Sequence, residues 1–248
     1  MLKFLKTVTV TGADDSVHPA QLVQLAEEYS FVEFGILLSK HSMGLRRFPS
    51  AEWLKILVRI ARRLEIHLAA HFCGEWVRDI LGGDWPRLEI EQIHPKFMNV
   101  FSRVQLNTHG VWHPFDGYRL AFILRELTAR NKEVIFQNDT KNNHLIMWAI
   151  GQDFKISALF DCSHGGGILP ESWPTQLDYI RCGYAGALGP DNLPEQLEKI
   201  EKVIVSPIWV DSETKLRSNN DRQFDLEKVR AFLELAKPWV INQESQND

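Results

Sequence analysis

The sequence predicts an α/β fold: a single (β/α)8 TIM barrel, with eight parallel strands inside a ring of helices. Three observations predict it. Eight short apolar segments alternate with segments of helical periodicity along the chain. Its 248 residues come close to the about 250 that such a barrel occupies. Within several strand segments one parity is polar and the other apolar, as expected of strands whose outer side packs under helices. A doubly wound open sheet would call for a Gly-x-Gly-x-x-Gly turn after the first strand, and none follows Val10-Thr11-Gly12.

The elements follow in order. The first strand, 7–11, alternates Thr7, Thr9 and Thr11 with valines, and a helix at 20–29 lines up Leu22, Leu25, Ala26 and Tyr29. The second strand, 31–38, precedes a helix at 51–64, where Ser50 is placed to cap and Leu54, Leu57, Val58 and Ala61 share a face. The third strand, 66–73, leads into a short or irregular crossover at 75–82, and 82–96, with Trp85, Pro86 and Pro95, reads as loop. Strands at 100–107, 133–139 and 156–161 alternate with helices at 118–130 and 142–150, and 170–178 reads as irregular. The seventh strand, 179–185, precedes a helix at 190–200 opened by Pro190, since proline suits a first helical position. A strand at 207–213 and a helix at 226–236 complete the set. No Pro/Gly/Ser-rich linker interrupts the chain, so residues 1–241 read as one domain and 242–248 as a polar tail.

Composition narrows the function. A formal charge of −4 supplies no basic footprint for nucleic acid, and Arg59, Arg62 and Arg63 read as a solvated helix face. Cys73, Cys162 and Cys182 are too widely spaced for a zinc knuckle and odd in number for a disulfide framework, so they are expected as cytoplasmic thiols. The N-terminal MLKFLKTVTV reads as strand entry rather than signal peptide, and no apolar run approaches the ~20 residues that span a bilayer. Oligomeric state is left open.

If the apolar parity faces the helices, the polar parity faces the barrel interior, and its members nearest the C-terminal strand ends line the mouth where such barrels bind substrates. These are Thr11, Gln105, Asn107, Gln137, Asp139, Asp161, Asp211 and Glu213, while Thr7, Thr9, Glu33 and Ser157 lie deeper. His71 and Cys73 end the third strand on the same parity, and His71 is a candidate acid or base because imidazole titrates near neutrality. Asp14, Asp15, Asp139, Asp211 and Glu213 come from different strand ends with no enforcing spacing, so no metal or cofactor is assigned. His109, Trp112 and His113 follow the fourth strand, where they would roof a ligand or pack on the barrel, and His164 follows Asp161 too closely for a dyad.

The stretch Gly186-Ala187-Leu188-Gly189-Pro190-Asp191-Asn192 joins a strand to a helix. Glycines allow close approach of backbone to a ligand, and the N–H groups of a helix start attract anions. Gly186, Ala187, Leu188, Gly189, Asp191 and Asn192 are therefore the expected phosphate seat.

Val104-Gln105-Leu106-Asn107, Ala158-Leu159-Phe160-Asp161 with Gly165-Gly166-Gly167 and Trp173, the stretch from Ala185 to Asn192, and Trp209-Val210-Asp211-Ser212-Glu213 together resemble, in this order, the phosphoribosylanthranilate isomerase family of (β/α)8 enzymes. The resemblance implies an acid–base rearrangement of a phosphorylated amino sugar. It makes Asp161 the general acid at the ribose ring oxygen; beside it, His71 or Asp139 is the candidate second proton-transfer group that the strand ends themselves offer. Arg47, beside Arg46 in the loop after strand two, falls where the family places an arginine for the substrate carboxylate. Lys215 and Arg217 follow the last strand where the family has a small phosphate turn, and they would add positive charge. Thr11 departs from the pattern, because the family's base at that place is a cysteine and a hydroxyl is a poor base without an activating partner. The expectation is an enzyme, an isomerase or lyase, acting on a small phosphorylated metabolite. The alternative is a non-catalytic barrel that binds phosphate ligands.

Overall fold

A computed structural model describes residues 2–108, 115–139, 142–161 and 167–241, with residues 87 and 88 described by backbone only. Eight strands form the barrel: β1 (Leu5–Thr11), β2 (Val32–Leu38), β3 (His67–Phe72), β4 (Arg103–Leu106), β5 (Glu133–Asn138), β6 (Ile156–Asp161), β7 (Arg181–Ala185) and β8 (Ile208–Ser212). Each pairs in parallel with the next, and β8 closes onto β1. Around them lie α1 (Pro19–Glu28), α2 (Ala51–Ala61), α3 (Glu75–Leu81), α4 (Arg87–Ile93), α5 (Gly117–Ala129), α6 (Asn143–Gly151), α7 (Leu193–Ile200) and α8 (Leu226–Ala236). A two-stranded hairpin, β9 (Arg217–Ser218) and β10 (Gln223–Phe224), stands between β8 and α8.

Local chemistry explains where the helices start. His18 caps α1 by accepting from the Ala20 N–H, Gln21 returns a bond to the His18 N–H at 2.9 Å, and Pro19 takes a position that needs no donor. Ser50 caps α2 through the Trp53 N–H at 3.2 Å, as its sequence position foretold. Asp116 and Asp225 do the same for α5 and α8.

Two sequence expectations are corrected. Residues 82–96 contain α4, seven residues long, which buries Ile90 and Ile93 between the flanking prolines Pro86 and Pro95. The helix expected from Pro190 begins at Leu193, because Pro194 takes the early helical position and Pro190 stays in the preceding turn. The crossover at 75–82 holds the short α3, and residues 167–180 carry no helix.

The parity rule holds inside the barrel. Outward residues such as Val8, Phe34, Val104 and Phe136 pack under the helices in one core. Inward, Ile135, Leu159, Ala185 and Trp209 form a small apolar layer. Gly183 makes room for Trp209, since a Cβ there would lie 2.1 Å from the indole ring. Below this layer the floor is ionic. Arg103 pairs with Glu33 at 2.8 Å and Glu133 at 3.2 Å, Arg181 pairs with Glu133 at 3.0 Å, and both guanidinium groups lie against the Trp209 ring. The floor acids are also bonded to Thr9 and Ser157. This network of two cations and two anions keeps the barrel bottom shut and directs the open polar space toward the other end.

Candidate active site

At the C-terminal strand ends the interior opens into a cavity of about 210 Å³. One side carries the carboxyls of Asp161, Asp211 and Glu213, and the opposite arc carries His71, Cys73, Gln105 and Asn107. Gly186, Ala187, Leu188 and Lys215 complete the rim, while Leu159 and Ala185 supply an apolar base.

The polar groups are held by one another. Gln137 donates to Asp161 Oδ2 at 2.9 Å, and the Thr11 hydroxyl donates to Asp211 Oδ1 at 2.7 Å. Gln105 Nε2 donates to Asn107 Oδ1 at 2.8 Å and faces His71 Nδ1 at 3.4 Å, while Asn107 donates to Cys73 Sγ. Gly35 lets β2 pass close behind this set, since a Cβ there would sit 2.1 Å from Thr11 Oγ1 and 2.6 Å from His71 Cε1.

Burial sets the protonation states. It pushes the Asp211 carboxyl well above the usual carboxylate range, outweighing the Thr11 hydrogen bond, and the neighbouring Glu213 and Asp161 push the same way. Glu213 is also raised by loss of water, against the opposing pull of Arg47. Burial, helped by the Arg103 cation, drops His71 to about 3, so the ring is neutral in ordinary buffers. Cys73 is pushed up to about 12 by burial and is a thiol, not a thiolate.

Of the residues expected from sequence, His71, Gln105, Asn107, Gln137, Asp161, Gly186, Ala187, Leu188, Asp211, Glu213 and Lys215 line one cavity. The structure places the others differently. Thr11 stands behind Asp211 as its hydrogen-bond donor. Asp139 accepts from the Asn142 N–H, turned into the start of α6. Arg47 is committed to Glu213 at 2.5 Å and Asp221 at 2.8 Å. Arg217, 4% exposed, is no phosphate ligand in this arrangement, because it pairs with Asp14 and Asp221 beneath the hairpin and donates to the Gly12 carbonyl. Asn192 closes the loop internally: its Oδ1 accepts from Gly189 N–H and its Nδ2 donates to the Ala187 carbonyl, each at 2.9 Å. Its own N–H and that of Leu193 bond the Gly189 carbonyl, so the helix-start donors expected at Asp191 and Asn192 are displaced from the cavity.

What remains for an anion is the loop itself. Gly186 and Ala187 both have positive φ, 130° and 49°, and the N–H groups of Ala187 and Leu188 meet no acceptor among the described residues. Lys215 borders the same space, its stem pressed against Gly189, where a Cβ would lie 2.6 Å from Lys215 Cβ. Ser212, which sequence reasoning missed, fixes this loop by donating to the Leu188 carbonyl at 2.5 Å. Its signal was faint, a hydroxyl on the apolar parity of β8. Asp14 and Asp15, weighed for a metal, instead bond Arg217 and Ser50. Among the described residues no group of three His, Cys, Asp or Glu side chains is placed to hold one. No helix there is long and apolar enough to cross a membrane. His109, Trp112, His113, Cys162, His164, Gly165, Gly166 and the tail 242–248 lie outside the described residues.

No protein-family model and no curated protein matches the chain in sequence. Solved structures match in fold. Phosphoribosylanthranilate isomerase from Thermotoga maritima is 18% identical with a TM-score of 0.55, over 96% of this chain and 99% of its own. N-(5'-phosphoribosyl)anthranilate isomerase from Pyrococcus furiosus is 12% identical with a TM-score of 0.55, over 94% of this chain and 98% of its own. A mutant tryptophan synthase alpha-subunit from Pyrococcus furiosus is 13% identical with a TM-score of 0.54, over 94% of this chain and 100% of its own. At these identities the likeness shows the barrel fold, one that these enzymes share.

Proposed function

We propose that the protein is an enzyme of the phosphoribosylanthranilate isomerase type, isomerising a small phosphorylated, sugar-derived metabolite by proton transfer at the barrel mouth. The observation that carries this reading is the pairing, in one small cavity, of buried carboxyls with a lysine and with backbone N–H groups that meet no acceptor among the described residues. The N–H groups of Ala187 and Leu188, with Lys215, hold the phosphate. That seat fixes the sugar across Leu159 and Ala185, toward Asp161 and Asp211. Neutral His71, Gln105 and Asn107 serve as hydrogen-bond partners for sugar hydroxyls. The volume of about 210 Å³ is below the about 300–1,000 Å³ of drug-sized pockets, which suits a sugar phosphate rather than a dinucleotide.

Thermal-shift measurements with phosphorylated sugars and their unphosphorylated forms test the seat, and direct turnover of phosphoribosylanthranilate tests the reaction. At a hundredfold excess over Kd a ligand stabilises by about 2.7 kcal/mol. At about 2–4 °C per kcal/mol for a chain near this size, the shift is about 5–11 °C. Equal shifts with and without phosphate would remove the phosphate reading. Thr11, standing where the resemblance expects a thiol, favours the second reading, a barrel that binds phosphate compounds without turning them over. Stabilisation without turnover of any stabilising compound would select it.

A further inference from the structure

Isomerisation by proton transfer needs two groups, one to take a proton from carbon and one to give a proton to oxygen. Cys73 is a half-buried thiol, and His71 is neutral, with its Nδ1 facing the Gln105 amide. Asp139 turns away from the cavity. The register of the barrel offers a better pair. Asp161 is level with Ala185, and Ala185 is level with Asp211, so the two acids project inward from one row, with a small side chain between them. Both line the cavity, with 9% of Asp161 and 7% of Asp211 exposed.

Each acid accepts a hydrogen bond from a neighbouring side chain, and what separates them is the company Asp211 keeps. Gln137 gives Asp161 an amide N–H. The Thr11 hydroxyl donates to Asp211 Oδ1 and orients the carboxyl, so that Oδ2 is the oxygen left to carry a hydrogen, while burial among other acids is what favours the neutral form. Nearby cations are engaged elsewhere: Arg47 by Glu213 and Asp221, Arg103 by Glu33 and Glu133. The groups that act on Asp211 are other acids, Glu213 at the end of its own strand, Asp161 from β6 and Glu33 from β2, with Lys215 at the rim of the same cavity.

We propose that Asp211 is the acid of the reaction, giving the proton on Oδ2 to the substrate's carbonyl oxygen or imine nitrogen while Asp161 takes the proton from the adjacent carbon, with Thr11 as the positioning residue that holds Asp211 in orientation. The proposal rests on the isomerase reading above and names its substrate class, an α-hydroxy aldehyde or the corresponding imine. Asp161 removes the C–H proton. That bonding pair becomes the new C=C bond, the C=O or C=N π pair moves to the heteroatom, and the heteroatom takes the Asp211 proton. The enediol or enaminol then collapses. Asp161 returns its proton to the neighbouring carbon, and Asp211 takes the hydroxyl proton, restoring both groups. One proton is shared by two carboxyls throughout, so no net charge is added to a buried site.

The test begins on unliganded protein. The infrared difference between wild type and Asp211→Asn at neutral pH is expected to contain a carboxylic-acid C=O band. That band shifts to higher frequency in Thr11→Val, which lacks the donor to Oδ1, and stays in place in Thr11→Ser. Absence of an acid band overturns the proposal whatever the substrate. With phosphoribosylanthranilate, kcat is expected to fall on the order of 10²–10⁴-fold in Asp211→Asn with KM nearly unchanged. Asp161→Asn is expected to fall comparably, with the double variant little worse than either single one. An Asp211→Asn enzyme within about threefold of wild type would overturn the role of Asp211. If wild type does not turn this compound over, the isomerase reading loses its substrate, while the infrared band still decides the state of Asp211.

Discussion

Gly35→Ala is a one-methyl change with a calculable consequence. Gly35 lies on β2 beside Thr11 of β1 in the barrel register. The added Cβ would sit 2.1 Å from Thr11 Oγ1, 2.6 Å from His71 Cε1 and 3.0 Å from His71 Nε2. Relieving the closest of these means moving a buried hydroxyl by more than an ångström, and both neighbours belong to the hydrogen-bonded set around the cavity. Overpacking of a well-filled interior costs about 1–3 kcal/mol. For a chain near this size that lowers Tm by about 2–12 °C, readable by calorimetry or by the urea midpoint. Displacing Thr11 also costs Asp211 its 2.7 Å hydrogen bond, and misplacement by about 1 Å typically costs on the order of 10² in rate. A double-mutant cycle isolates the cause. Adding Thr11→Ala removes the closest clash, so the pair is expected to be less destabilised than the sum of the two single changes, with a coupling of about 0.5–3 kcal/mol. A Gly35→Ala protein melting with wild type, or strict additivity in the cycle, would refute the claim that Gly35 is there to let β2 approach these side chains.

Arg103→Met leaves Glu33 and Glu133 short of a buried partner, and urea unfolding is expected to show a loss of about 3–5 kcal/mol. Arg217→Ala is expected to act the same way on Asp14 and Asp221, lowering Tm without changing the phosphate-dependent shift; Lys215→Ala is expected to do the reverse. His71 titrates near 6.5 when unfolded but near 3 when folded, so between these values the unfolded state binds more protons. Stability supplied by neutral His71 is therefore complete above about pH 6.5 and declines as pH falls toward 3, and the stability difference between wild type and His71→Gln is expected to shrink across that window.

The barrel was legible because its signal repeats. Strand and helix periods alternate eight times, and the odd-numbered positions of each strand point the same way, so Asp161, Asp211, Gln137 and Gln105 could be assigned to the mouth from parity alone. Parity stops guiding a side chain once the strand ends. Asp139, Arg47 and Arg217 sit in or beyond the loops, where local partners such as Asn142, Glu213 and Asp14 decide their direction. The helix after β7 was misplaced because proline fits an early helical position in either of two registers, and Pro194 rather than Pro190 takes it. Helix α4 was missed because seven residues between Pro86 and Pro95 give too few periods to outweigh two breakers. The ionic floor was hidden for another reason. Arg103, Glu133 and Arg181 each begin a strand, where a charged residue reads as surface, and only closure of the barrel brings them together over Trp209.

That floor also bears on Thr11. Two arginines and two glutamates cancel within it, so it offers no surplus positive charge to the carboxyls above. Arg103 is felt at His71, where it helps keep the ring neutral, while Glu33 adds to the upward push on the Asp211 carboxyl. A thiol in place of Thr11 would give Asp211 a weaker donor, and a thiolate there would put another anion beside three carboxyls. A hydroxyl is the group that donates to Asp211 without adding charge. The residue that departs from the phosphoribosylanthranilate isomerase pattern is thus a neutral donor in an acidic mouth, tied by its hydrogen bond to the same Asp211 on which the proposed proton transfer depends.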